Sequence, residues 1–108
     1  MSAALHLEQV VAQLRARFND ELVPRLDRIR ALTRALPTDP AAIRELQMAV
    51  HNIAGIAGTF GHPRLSATAA RMDELLSQRV PEAIDHGLLA RLAQDLHPDT
   101  LLGEPPGG

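Results

Sequence analysis

Five histidines, at positions 6, 51, 62, 86 and 97, are the residues of this chain best suited to chemistry. No cysteine is present, which removes thiolate nucleophiles and disulfides and suits a reducing compartment. No two histidines stand three or four residues apart, and no His-Glu-x-x-His run occurs. A metal site is therefore not expected. His51 stands out by its surroundings. It is followed by Asn52-Ile53-Ala54-Gly55-Ile56-Ala57-Gly58-Thr59-Phe60-Gly61, inside an uncharged stretch from Leu46 to Pro63. That stretch has the crude length of a membrane span. Gln47, His51, Asn52, Thr59, His62, three glycines and a proline argue against one, because burying such polar groups in lipid costs several kcal/mol or more.

Read as a helix at 100° per residue, the segment from Pro40 to about Phe60 has two faces. Ala42, Leu46, Ala49, Ile53, Ile56 and Phe60 gather opposite His51 and form the expected core face. Arg44, Gln47, Gly55 and Gly58 lie on the His51 side. A lone histidine in apolar sequence is more often a satisfied core residue, but this projection puts His51 in solvent. Glycine within a helix costs about 0.5–1 kcal/mol relative to alanine. Gly55 and Gly58 beside an exposed imidazole clear room for another protein's surface. An exposed neutral imidazole is a nucleophile that can accept and release a phosphoryl group. General acid–base catalysis is disfavoured, since this helix offers no carboxylate on the His51 face.

The elements that must position His51 are helical. Leu7, Val11, Leu14, Phe18, Leu22, Leu26, Ile29, Leu32 and Leu36 recur at steps of three and four, one long amphipathic stripe. Pro24 falls inside it and predicts a kink or a split near that position. Leu36-Pro37-Thr38-Asp39-Pro40 stops the first helix, with Asp39 placed to cap the second. Gly61 ends the second helix and Pro63 opens a third, which carries Leu65, Ala69, Met72 and Leu76. A fourth holds Leu88 or Leu89, Leu92 and Leu96. Short connections make consecutive helices antiparallel, so the expected fold is all-α, an up-down-up-down four-helix bundle. Residues 1–97 form the bundle in this reading, and 98–108, rich in proline and glycine, a flexible tail.

Composition narrows function further. All eleven basic residues are arginine, and the net charge is -2 with histidine neutral. Nothing here makes a basic footprint for nucleic acid or anionic lipid. Gly55-Ile56-Ala57-Gly58 mimics an RNA-binding GXXG loop but lacks the strands and basic neighbours. No signal peptide is read at the N-terminus.

The run from His51 to Gly61, with Pro63-Arg64-Leu65-Ser66-Ala67-Thr68-Ala69 after it, resembles the signature of histidine phosphotransfer (HPt) domains. The stripe around Phe18, Leu22, Leu26 and Ile29 resembles their long first helix, so the resemblance covers roughly residues 5–97. It implies a cytoplasmic, monomeric phosphohistidine carrier rather than a free-standing enzyme. His51 is then the phosphoacceptor, relaying a phosphoryl group between aspartates of receiver domains in response regulators or hybrid kinases. The receiver brings the acidic pocket and Mg²⁺, and this chain needs no cofactor. Gln47, Met48, Ala54, Gly55 and Gly58 are the expected partner-binding residues. The family usually carries lysine at the position of Ala54, and this chain has no lysine. Arg44 and Gln47 are the candidates to steady the phosphoryl group instead. An adaptor that binds receivers without transfer, or a helical dimerisation or scaffold module, are the alternatives.

Overall fold

The computed structural model describes residues 2–36, 39 and 41–99. Four α-helices follow one another: α1 (Ser2–Ala35), α2 (Ala41–Ala57), α3 (Pro63–Leu76) and α4 (His86–Gln94), with a 3-10 turn at Pro81–Ala83. Each helix packs on its chain neighbours, and α4 returns to α1. The contacts close a four-helix bundle, and no strand occurs among the described residues.

α1 runs unbroken through Pro24. Pro24 and Asp20 are both exposed, so the carbonyl that loses its intrahelical donor faces water and the helix need not end there. From Phe18 to Leu36 the stripe is buried as its periodicity predicts. Leu7, Val11 and Leu14 are not: they are 63%, 38% and 48% exposed. The reason is length. At 1.5 Å per residue α1 spans about 51 Å and α2 only about 26 Å, so the first half of α1 outruns the helices that would cover it.

Asp39 caps α2 as predicted, its Oδ1 accepting from the Ala41 amide at 3.1 Å. The helix stops at Ala57, three residues before the expected end. A Schellman-type closure follows: the His62 amide donates to the Ala57 carbonyl at 2.9 Å, and the Gly61 amide to Gly58 at 3.4 Å. Gly61 has φ +93°, the conformation this cap requires and a side chain resists. The buried face of α2 is Ala42, Leu46, Val50, Ile53, Ala57, with Phe60 after it. Ala49 is only half-buried and Ile56 is 36% exposed, so the core face lies about 40° from the expected one, turned toward Val50. The turn has a cause: α3 packs against the Gln47–Ala54 flank and covers it. Leu65, Ala69, Met72 and Leu76 of α3, and Leu89, Leu92 and Leu96 at the end of the chain, are buried as predicted.

The N-terminus of α3 is closed from a distance. Its N-cap, His62, offers no side-chain cap, and Asp99 supplies one. The two Asp99 carboxylate oxygens accept from the Arg64 and Leu65 amides at 2.8 and 2.9 Å. The Asp99 amide donates to His62 Nδ1 at 3.0 Å, and His62 Nε2 bonds Asn19 Oδ1 at 2.7 Å. His62, 1% exposed and beside Phe18, is the satisfied core histidine of this chain. Pro98 is buried too, so the packed chain reaches Asp99, two residues past the boundary expected at 97. The rest of the expected tail, 100–108, lies outside the described residues.

Candidate functional site

α2 and α3 form an antiparallel hairpin, and two of its cross-contacts share one register. Gln47 pairs with Ser77, and His51 with Asp73. His51 projects into solvent, its side chain 73% exposed. The ring is nevertheless held: Nδ1 lies 2.8 Å from Oδ2 of Asp73, whose own side chain is 22% exposed. A carboxylate accepts, so Nδ1 carries the hydrogen in this pair, and in the neutral ring Nε2 keeps its lone pair. Nε2 has no hydrogen-bond partner among the described residues. The site is thus a fixed imidazole with its free nitrogen aimed away from the fold.

Asp73 lies on α3, so the carboxylate that the second helix does not offer on the His51 face comes from its neighbour. The backbone carbonyl of Asp73 accepts from Ser77 Oγ at 2.8 Å, and Ser77 Oγ accepts from Gln47 Nε2 at 3.1 Å. One end of the Gln47 amide is therefore committed to α3. The signal that finds Asp73 is hairpin arithmetic. With the turn centred on His62, position 51 lies eleven residues before it (62 − 51) and position 73 eleven after (73 − 62).

The other expected residues divide by where α3 sits. Arg44, Gln47, Met48 and His51, joined by Asn52 and Asp73, line one open depression of about 300 Å³. Met48 is 62% exposed at its edge. Gly55 is exposed, and a Cβ built on it meets nothing within 4 Å. Ala54 instead is half-buried against the core, its carbonyl accepting from Ser66 Oγ at 2.6 Å. Gly58 lies past the end of α2, and a Cβ there would touch Ser66 Oγ at 3.6 Å, an ordinary contact. So Gly55 opens the surface, while Gly58 sits beside the α2–α3 seam. A second groove, lined by Arg25, Arg28, Ile29, Ala49, Asn52 and Ile53, continues the exposed face toward α1. At its edge Arg28 donates from Nε and Nη2 to Glu45 Oε2 at 3.1 and 2.6 Å.

No group of three metal-ligating side chains occurs among the described residues. Nor, among those residues, is any helix long and apolar enough to cross a membrane.

A four-helix bundle with one pinned, exposed histidine on its second helix agrees with the family model that matches this chain, the Hpt domain, over residues 13–97. The chain belongs to the Hpt domain family. Hpt domains work in phosphorelays, accepting phosphoryl groups on histidine and interacting with receiver domains of response regulators. No curated protein and no solved structure matches the chain.

Proposed function

We propose that His51 is the phosphoacceptor and that the chain relays a phosphoryl group between aspartates of two receiver domains. The supporting observation is the imidazole itself, 73% exposed yet held through Nδ1 by Asp73. In the forward step the Nε2 lone pair forms the N–P bond while the O–P bond of an aspartyl phosphate breaks and its electrons leave on the carboxylate. The ring gains positive charge as the bond forms. Asp73, 2.8 Å from Nδ1, faces that charge and stabilises it. The second transfer reverses these steps on another receiver. Phosphoryl transfer depends mainly on positioning and charge stabilisation, so one fixed nucleophile is a sufficient contribution from this side. Mg²⁺ and the acidic pocket belong to the receiver.

Met48, Asn52 and Gly55 form the docking surface in this reading, with Arg44 the cation nearest in sequence along the same face. Arg44 takes over part of the role of the missing lysine at Ala54, reaching phosphoryl oxygens across the depression it shares with His51. Gln47 contributes at most one N–H, since Ser77 engages its amide.

The test mixes the chain with radiolabelled phospho-receivers. Acid-labile, base-stable label should appear on the wild type and be absent from His51→Ala. A receiver that binds without ever labelling the chain contradicts relay and establishes an adaptor, the reading that the alanine at position 54 favours.

A further inference from the structure

Oxidisable side chains are scarce in this chain, which has no cysteine, tryptophan or tyrosine and three methionines. Met1 lies outside the described residues. Met72 is 0% exposed in the core of the bundle, so its thioether is out of reach of solvent. Met48 is 62% exposed and lines the depression shared by Arg44, Gln47, His51 and Asp73. Among the described residues, then, one sulfur meets solvent, and it stands on α2 three residues before the histidine.

We propose that Met48 is a modification site whose oxidation to the sulfoxide by a hydroperoxide weakens binding at the His51 face, on the reading that receivers dock there. A sulfur lone pair attacks the terminal oxygen of the hydroperoxide. The S–O bond forms as the O–O bond breaks, the hydroxyl proton passes to the departing oxygen, and water or an alcohol leaves. Sulfur loses two electrons and the peroxide gains them. The reduced side chain is apolar, unbranched and polarizable, which suits a face that must fit two different receivers. The sulfoxide is polar, and a partner that covers its oxygen without a donor pays the cost of desolvating it. The ring of His51 is held by Asp73 through Nδ1 and does not depend on Met48. Oxidation therefore acts on affinity and leaves the transfer step in the assembled complex as it was. Methionine sulfoxide is reduced again by dedicated reductases, so the change is reversible.

Dilute hydrogen peroxide on the folded chain, followed by peptide mass spectrometry, should oxidise Met48 well before Met72, whereas in urea the two should react alike. The oxidised chain should bind a receiver domain about five- to tenfold more weakly in titration calorimetry, with the transfer rate at saturating receiver unchanged. Met48→Gln, polar and of similar length, should show the weaker binding without peroxide. Met48→Leu, whatever its own affinity, should show no change on peroxide treatment, and methionine sulfoxide reductase should restore the oxidised wild type. Equal oxidation of Met48 and Met72 in the folded chain overturns the proposal. So does unchanged affinity once Met48 is oxidised, a loss that persists in Met48→Leu, or slower transfer at saturation with affinity kept. A receiver whose binding responds to peroxide but that never labels His51 refutes relay and still supports the modification site. No receiver binding in either redox state overturns both.

Discussion

The Asp73–His51 pair offers the sharpest test of how the imidazole is prepared. Asp73→Ala removes the acceptor at Nδ1 and leaves the ring free to rotate and to exchange tautomers. A hydrogen bond to a charged group contributes about 1.5–3 kcal/mol where it is shielded. Here the imidazole is 73% exposed, and solvent screening reduces that to about 1 kcal/mol. If the bond acts mainly as charge develops on the ring, the transfer rate should fall about fivefold. Asp73→Asn keeps a neutral acceptor in place and should fall between the wild type and the alanine variant. Rapid-quench transfer from a phospho-receiver measures the rate. Nitrogen NMR of the imidazole reports the tautomer independently, with the wild type expected to carry its hydrogen on Nδ1. Unchanged rates in both variants, or a wild type protonated on Nε2 instead, would refute the positioning role.

Other expectations separate folding from function. Replacing Asp99 with alanine uncaps two amides of α3 and should cost about 1–2 kcal/mol in urea denaturation, with phosphoryl transfer otherwise intact. His62→Ala deletes a buried ring with both nitrogens bonded and should cost about 3 kcal/mol, whereas His51→Ala at the surface should stay within about 0.5 kcal/mol. Gly55→Ala has open space for its methyl and should stabilise α2 by up to about 1 kcal/mol. Gly55→Leu, tolerated equally by the fold, should slow transfer by obstructing the receiver; the two assays together show whether that glycine is kept for stability or for access.

Most of the architecture was legible because it rests on local rules. Helical periodicity placed α3 and the bundle half of α1, Asp39 marked the start of α2 and Gly61 the turn that follows its end at Ala57, and the projection of His51 into solvent followed from its angle to Leu46 and Ile53. The failures share one origin. A helical wheel assumes that the core lies opposite the polar side, and it cannot know which neighbour covers the flank. α3 lies over that flank, which turned the core face toward Val50 and Ala57 and brought Asp73 onto the histidine. The same blindness to neighbours predicted burial for Leu7, Val11 and Leu14, where no helix is long enough to reach. Asp99 was assigned to a tail because proline and glycine around it outweigh one carboxylate in any local reading. Only the tertiary fold shows that α3 lacks a cap of its own and that Asp99 provides it.

The central claim is that a single atom, Nε2 of His51, carries the phosphoryl group. Phosphorus NMR of the phosphorylated chain distinguishes the two ring isomers of phosphohistidine, and mass spectrometry of its peptides locates the residue. The account predicts phosphate on His51 alone and on Nε2 alone, since Asp73 occupies Nδ1. Phosphate on Nδ1, or on another histidine with His51 unmodified, would contradict it.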